Sequence, residues 1–179
     1  MSQINLSAET YIAEIAKELN TFFPKASSFT KPGIKSLSIN IGVGKYDNKQ
    51  KEEVYNNLLK LTGQKPKKIY SKKSISGFKL RAGDFVAIQN TLRGKKIYDF
   101  LLKFIYVALP RGRDFKGVKN DSFDSNYQTY TVGIPTASIF PTVGFGGSVD
   151  FGMQINITFK NKGEQNKILL NTLKLPLAK

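Results

Sequence analysis

Cysteine, histidine and tryptophan are all missing from this chain of 179 residues. A thiol nucleophile, a disulfide, an imidazole base and a Cys/His zinc site are therefore excluded at the outset. Acid is scarce as well: 13 Asp and Glu stand against 28 Lys and Arg, giving a net charge of +15 and a pI near 9.9. A field of one sign this large favours a polyanion, either a phosphate backbone or an anionic membrane. Long hydrophobic runs are lacking too. The longest, residues 100–109, is broken by Lys103 and falls far short of the ~20 residues a membrane span needs. The opening Met1-Ser-Gln-Ile-Asn-Leu6 has no charged region ahead of an apolar stretch. Neither a signal peptide nor a membrane partner is expected, and a cytoplasmic protein is.

What is present is enough for a core. Apolar residues make up 40% of the chain, with 13 Phe and 8 Tyr. A chain of this length buries roughly 70% of its unfolded surface, so a single domain over residues 1–179 is expected. The charge is not spread evenly. Residues 54–83 contain Lys60, Lys65, Lys67, Lys68, Lys72, Lys73, Lys79 and Arg81 and no acid, interleaved with Gly63, Pro66, Tyr70, Gly77 and Phe78. Solubility alone favours mixed signs, and a membrane-bound segment favours a basic amphipathic helix with bulky apolar residues. The turns and alternation of this segment point to RNA.

Periodicity supplies the elements. Ser7 is a fitting N-cap for a helix in which Ala8, Tyr11, Ile12, Ile15, Leu19 and Phe22 recur at helical spacing before Pro24. Leu37, Ile39, Ile41 and Val43 alternate with Ser38, Asn40 and Gly42, the period-two pattern of a half-buried strand, with Asn40 on its polar side. A second helix is expected over residues 51–61, stopped by Gly63. Residues 67–74 and 84–92 read as strands joined by a long hairpin, with Lys72, Lys73, Lys79 and Arg81 near its tip. A third helix is expected over residues 95–107, with Ile97, Leu101, Phe104 and Ile105 inward and Pro110 closing it. Strands over 127–132 and 151–160 and a last helix over 164–173 follow. The order predicts an α+β fold with a mixed, largely antiparallel sheet, helices packed on one face, and RNA bound by the other face and loops.

Candidate chemistry is thin. Gly42-Val43-Gly44 lacks the third glycine of a dinucleotide loop and reads as a tight turn. Glu52 and Glu53 are expected to open the second helix and complement its dipole. Asp121 and Asp124 are expected as loop formers. The aromatics Tyr98, Phe100, Phe104 and Tyr106 have the spacing of core residues, whereas Phe78, beside Gly77 and Lys79 at the hairpin tip, is placed to pack on a ribose or base. No catalytic residue, metal or cofactor is expected. Two rivals remain open: an enzyme on nucleotides or RNA using Asp114, Asp121 or Asp124 with a metal, and a general RNA-binding chaperone.

Seven motifs occur in order: Ser38-Ile-Asn-Ile-Gly-Val-Gly44, Thr62-Gly-Gln-Lys-Pro66, Lys73-Ser-Ile-Ser-Gly-Phe-Lys-Leu-Arg81, Thr91-Leu-Arg-Gly94, Pro110-Arg-Gly-Arg-Asp-Phe-Lys-Gly117, Ser122-Phe-Asp124 and Ile139-Phe-Pro141. Together they resemble the family of large ribosomal subunit protein five, bacterial or organellar type, over residues 7–179. The resemblance implies a non-catalytic protein that binds 5S rRNA in the central protuberance and helps attach it to 23S rRNA, beside other 5S rRNA-binding large-subunit proteins. It implies 5S rRNA contacts by Asn40, Gln64 and Thr91. It also implies that the hairpin loop reaches P-site tRNA, where Lys72, Lys73, Lys79 and Arg81 would meet phosphates and Phe78 would pack. Lys65, Lys67, Lys68, Arg93, Arg111, Arg113 and Lys116 are further RNA candidates.

The chain departs from that family beyond Thr131. The usual Gly-x-x-Glu stretch reads Gly133-Ile-Pro-Thr-Ala-Ser138, and an acidic loop is replaced by Thr142-Val-Gly-Phe-Gly-Gly-Ser-Val149. In the family this region faces small-subunit protein thirteen, so the carboxylates expected for that contact are missing.

Overall fold

A computed structural model describes residues 7–25, 27, 30–78, 80–112, 117–118, 122–143 and 149–176. Helix α1 (Ala8–Phe22) begins where the Ser7 hydroxyl accepts from the Thr10 N–H at 3.2 Å, and it buries Tyr11, Ile15 and Leu19. Strand β1 (Ile34–Gly42) leads to helix α2 (Asn48–Thr62), which starts three residues earlier than the apolar stripe predicts. The start is set by Asp47, whose N–H donates to the Gln50 Oε1 at 3.1 Å, a polar signal that hydrophobic spacing does not carry. Glu52 and Glu53 therefore lie beyond the first turn and do not serve the helix dipole as expected. Glu52 instead pairs with Lys68. Gly63 ends the helix in the left-handed region, with φ +61°.

The sheet is built from β1, β2 (Lys67–Tyr70), β3 (Phe85–Leu92), β4 (Thr129–Ile134) and β5 (Met153–Phe159) in the order β2-β3-β1-β5-β4. The α+β class is as expected, and every pairing among these strands is antiparallel, so the largely antiparallel sheet of the prediction is wholly so. Strands β2 and β3 are shorter than their alternation predicts. The connection between them, residues 71–84, holds an Ile75–Leu80 bridge and a short helical turn at Ser76–Phe78.

One face of the sheet is apolar. Leu37, Ile39, Ile41, Ile88, Leu92, Tyr130, Val132, Ile155, Ile157 and Phe159 alternate inward and join the buried stripes of the helices in one core cluster. Helix α3 (Lys95–Leu102) does not run on as an α-helix to residue 107. Residues Lys103–Ala108 are wound as a π-helix, followed by a 3₁₀ turn at Leu109–Arg111. Phe100, Phe104 and Phe140 cluster there with centroids 6.0 to 6.3 Å apart, Phe104 stacked on each of the other two. Tyr11 is fixed between Tyr98 and Tyr106, and its hydroxyl donates to the Leu173 carbonyl at 2.7 Å. Burial, and then the neighbouring Tyr106, push that hydroxyl well above the ordinary tyrosine range, so it stays a donor. The contact ties α1 to the end of helix α4 (Gln165–Thr172).

Candidate nucleic-acid interface

The opposite sheet face is defined by what alternation leaves outward, and by which strands pairing brings together. One row across the sheet reads Lys67, Gln89, Asn40, Gln154, Gly133. The next reads Thr91, Ser38, Asn156, Thr131, and a third Ser36, Thr158, Thr129. These rows carry one cation, at the β2 edge, and no carboxylate. Five strands about 4.8 Å apart make a surface about 20 Å across. Its amides and hydroxyls donate and accept alike, and no aromatic ring stands in these rows to stack a base. At the β4 end, Asn40, Gly42, Gly133, Gly152 and Gln154 line a shallow hollow of about 530 Å³. Gly152 gives room there, since a Cβ would lie 3.1 Å from the Ile134 carbonyl oxygen, a tight contact.

The three residues expected to recognise RNA converge. Asn40 and Thr91 lie on this face in adjacent rows, both half-buried. Gln64 stands at the margin, beyond the start of β2, where its Nε2 donates to the Thr91 carbonyl and to the Asn90 Oδ1, each at 2.9 Å. The Asn90 Nδ2 in turn donates to the Thr62 Oγ1 at 2.7 Å and to the Gln64 carbonyl at 2.9 Å. Both amide hydrogens of Gln64 are thus engaged by the protein, and its Oε1 accepts only a long bond, 3.4 Å, from the Lys96 Nζ.

Sequence reasoning missed Asn90, which is only 2% exposed. The signal was present, since Asn90 stands at an inward position of an alternating strand, where a polar residue requires partners. Asn90→Leu removes an acceptor and two donors at once and leaves groups on Thr62 and Gln64 unpaired. It is expected to cost about 1–3 kcal/mol of stability, with Thr62→Val costing less. Urea denaturation ranks the two, and negligible losses in both would contradict a cooperative knot.

The remaining candidates divide. Lys65 and Arg93, next to the ends of β2 and β3, are exposed at the margin, Lys67 ends the first row, and Arg111 is exposed in the 3₁₀ turn after the π segment. Lys68 faces the helices: it pairs with Glu52 and lies 5.0 Å from the Tyr55 ring centroid. The hydrogen bond with Glu52 holds its ammonium above the ordinary lysine range. That geometry joins α2 to β2. Lys72, Lys73 and Arg81 are exposed in the 71–84 connection. Phe85 and Thr91 are six residues apart along β3, so this connection and the recognition set sit about 20 Å apart. Lys79, Arg113, Lys116 and the side chain of Phe78 lie outside the described residues. Of the carboxylates weighed for an enzyme, the Asp124 Oδ1 accepts from the Gln128 and Thr129 N–H groups at 2.6 and 3.0 Å and closes a turn as expected, while Asp114 and Asp121 lie outside the described residues.

Residues 27–81 match the family model described as ribosomal protein L5, and residues 85–177 match the model for the C-terminus of the same ribosomal family. The sheet interlocks the two matched segments, because β1 from the first lies between β3 and β5 from the second. The large ribosomal subunit protein uL5 of Mycoplasma pneumoniae is 41% identical over 98% of each chain. The proteins of the same name from Streptococcus thermophilus and Streptococcus suis are 40% and 39% identical, covering 98% of this chain and 99% of theirs. Identity at this level over the whole length, together with the two family models, overturns the enzyme reading: the chain belongs to the ribosomal protein L5 family, whose members are structural and not enzymatic.

Proposed function

We propose that this chain is a structural protein of the large ribosomal subunit, working in the cytoplasm, whose residues 1–179 act as one unit that binds 5S rRNA and helps attach it to 23S rRNA. The observation that carries this reading is the open sheet face, where three paired rows of Ser, Thr, Asn and Gln, with Lys67 at the edge and no carboxylate, lie beside a small apolar row of Ile69, Ala87 and Gly42. Such a face suits ribose hydroxyls and base edges of a shallow RNA groove, which accept and donate hydrogen bonds without stacking. Asn40 and Thr91 supply contacts from the face, and Gln64 offers its Oε1 at the margin. Lys65 and Arg93 reach phosphates at the rim, and Arg111 meets RNA from the turn after the π segment, contacts that position the RNA without reading it.

The 71–84 connection, at the other end of β3, meets a second RNA, the P-site tRNA, through Lys72, Lys73 and Arg81. Residues 133–149 face small-subunit protein thirteen, with apolar, hydroxyl and backbone groups in place of the acidic residues usual in the family. Other 5S rRNA-binding proteins share the same RNA.

Filter binding of 5S rRNA across a salt series tests the central claim. Log affinity is expected to fall linearly with log salt, by about 0.7–0.9 for each phosphate met, and 5S rRNA is expected to bind more tightly than an unrelated RNA duplex. Absent or salt-independent binding would overturn the proposal.

A further inference from the structure

On the helical side of the molecule, away from the sheet face, the end of α2 and the helix formed by α3 and its π continuation enclose a groove of about 470 Å³. Its wall carries Lys60, Lys96 and Lys103, all exposed, and one acid, Asp99. The four ion pairs among the described residues use Lys68, Lys95, Lys167 and Lys174, and none of these three. The groove wall carries three ammonium groups to one carboxylate, within a span comparable with the Debye length of about 10 Å at 0.1 M salt. Helix-dipole complementarity accounts for Lys60, in the last turn of α2, and Lys96 donates to the Gln64 Oε1, while the single Asp99, one turn from both Lys96 and Lys103, offsets only one of the three charges.

Two further observations converge on the same groove. Lys103 and Val107 both come from the π-wound segment, a geometry that is rare within helices and concentrated at functional sites. The groove also opens beside the recognition set: Thr62 and Gly63 line it, and the Lys96 Nζ is 3.4 Å from the Gln64 Oε1. Lys96 and Lys103 are seven residues apart, about 10 Å along a helix axis, so they meet different phosphates and do not compete for one.

We propose that this groove receives the sugar–phosphate backbone of an RNA strand that passes Gln64 and leaves the sheet face. The proposal rests on the RNA-binding reading above and adds a contact on the helical side. Lys60, Lys96 and Lys103 neutralise phosphates, Val107 and the apolar floor pack on riboses, and Asp99 opposes binding. The contact carries no sequence information.

The test is the salt dependence of full-length protein on both 5S rRNA and an unrelated RNA duplex. The triple variant Lys60→Gln, Lys96→Gln, Lys103→Gln is expected to lower the slope by about 2 to 3 units on both RNAs, at about 0.7–0.9 per phosphate. A control with Lys17→Gln, Lys25→Gln and Lys49→Gln, equal in net charge, is expected to change it by less than one. Asp99→Asn is expected to tighten binding to both. An unchanged slope in the groove variant, or equal losses in the control, overturns the groove contact and leaves 5S rRNA binding standing. Wild-type protein that does not prefer 5S rRNA removes the functional reading, while the slope loss on both RNAs still decides the groove.

Discussion

Asn40→Asp is expected to weaken 5S rRNA binding about a hundredfold, or about 2.7 kcal/mol, without unfolding the protein. The substitution is nearly isosteric. Asn40 stands in the middle of the first row, between Gln89 and Gln154, half-buried and with no side-chain hydrogen bond among the described residues. An amide there donates and accepts, whereas a carboxylate only accepts and so loses any contact with an RNA acceptor. It also brings negative charge into a face without any, against phosphates at the rim, and like-charge juxtaposition across an interface costs several kcal/mol. Asn171→Asp, exposed on α4, changes net charge equally and is expected to alter affinity less than threefold. Filter binding of both variants, with urea denaturation as the check on folding, decides the matter. Equal losses would mean that net charge and not the sheet face governs recognition.

Phe104→Ala is expected to cost about 3–5 kcal/mol of stability. Its ring is fully buried and packs on both Phe100 and Phe140, at 6.1 and 6.3 Å, in a triangle of three rings. Truncation forfeits the transfer free energy of the ring and leaves a cavity that the flanking rings and the π segment fill only in part. Against a typical total of about 5–15 kcal/mol, this is a large share. Phe123→Ala, which removes a half-buried ring packed on Tyr127, Tyr130 and Phe159, is expected to cost less. Urea midpoints at equal m-values provide the comparison. A loss below about 1 kcal/mol for Phe104→Ala would show that the three-ring cluster is not a centre of stability.

Local signals carried much of the architecture. Ser7, Gly63 and the alternation through Leu37, Ile39 and Ile41 act within a few residues, through capping bonds and the direction of side chains, so they are legible in one dimension. The start of α2 was misread because Asp47 and Gln50 mark it through polar groups while the apolar stripe begins only at Val54. The π turn after Leu102 has no local mark. Around it Phe100 and Phe104 pack against Phe140, a ring supplied from beyond β4, far along the chain.

For the candidate site, the chain itself determined its charge, the exclusion of thiol and imidazole chemistry, and the outward position of Asn40, because these depend on composition and on the period of a strand. Tertiary structure decided the rest. Strand order β2-β3-β1-β5-β4 brought Gln89, Ser38, Gln154, Asn156 and Thr131 into rows beside Asn40 and Thr91, and a register shift of one residue would have turned those side chains into the core. It likewise turned Lys68 toward Glu52 and tied Gln64 to Asn90. Pairing and burial are set by the whole core at once, so a residue's outward period is written in its own strand, while its neighbours on the face are chosen by strands far away in the chain.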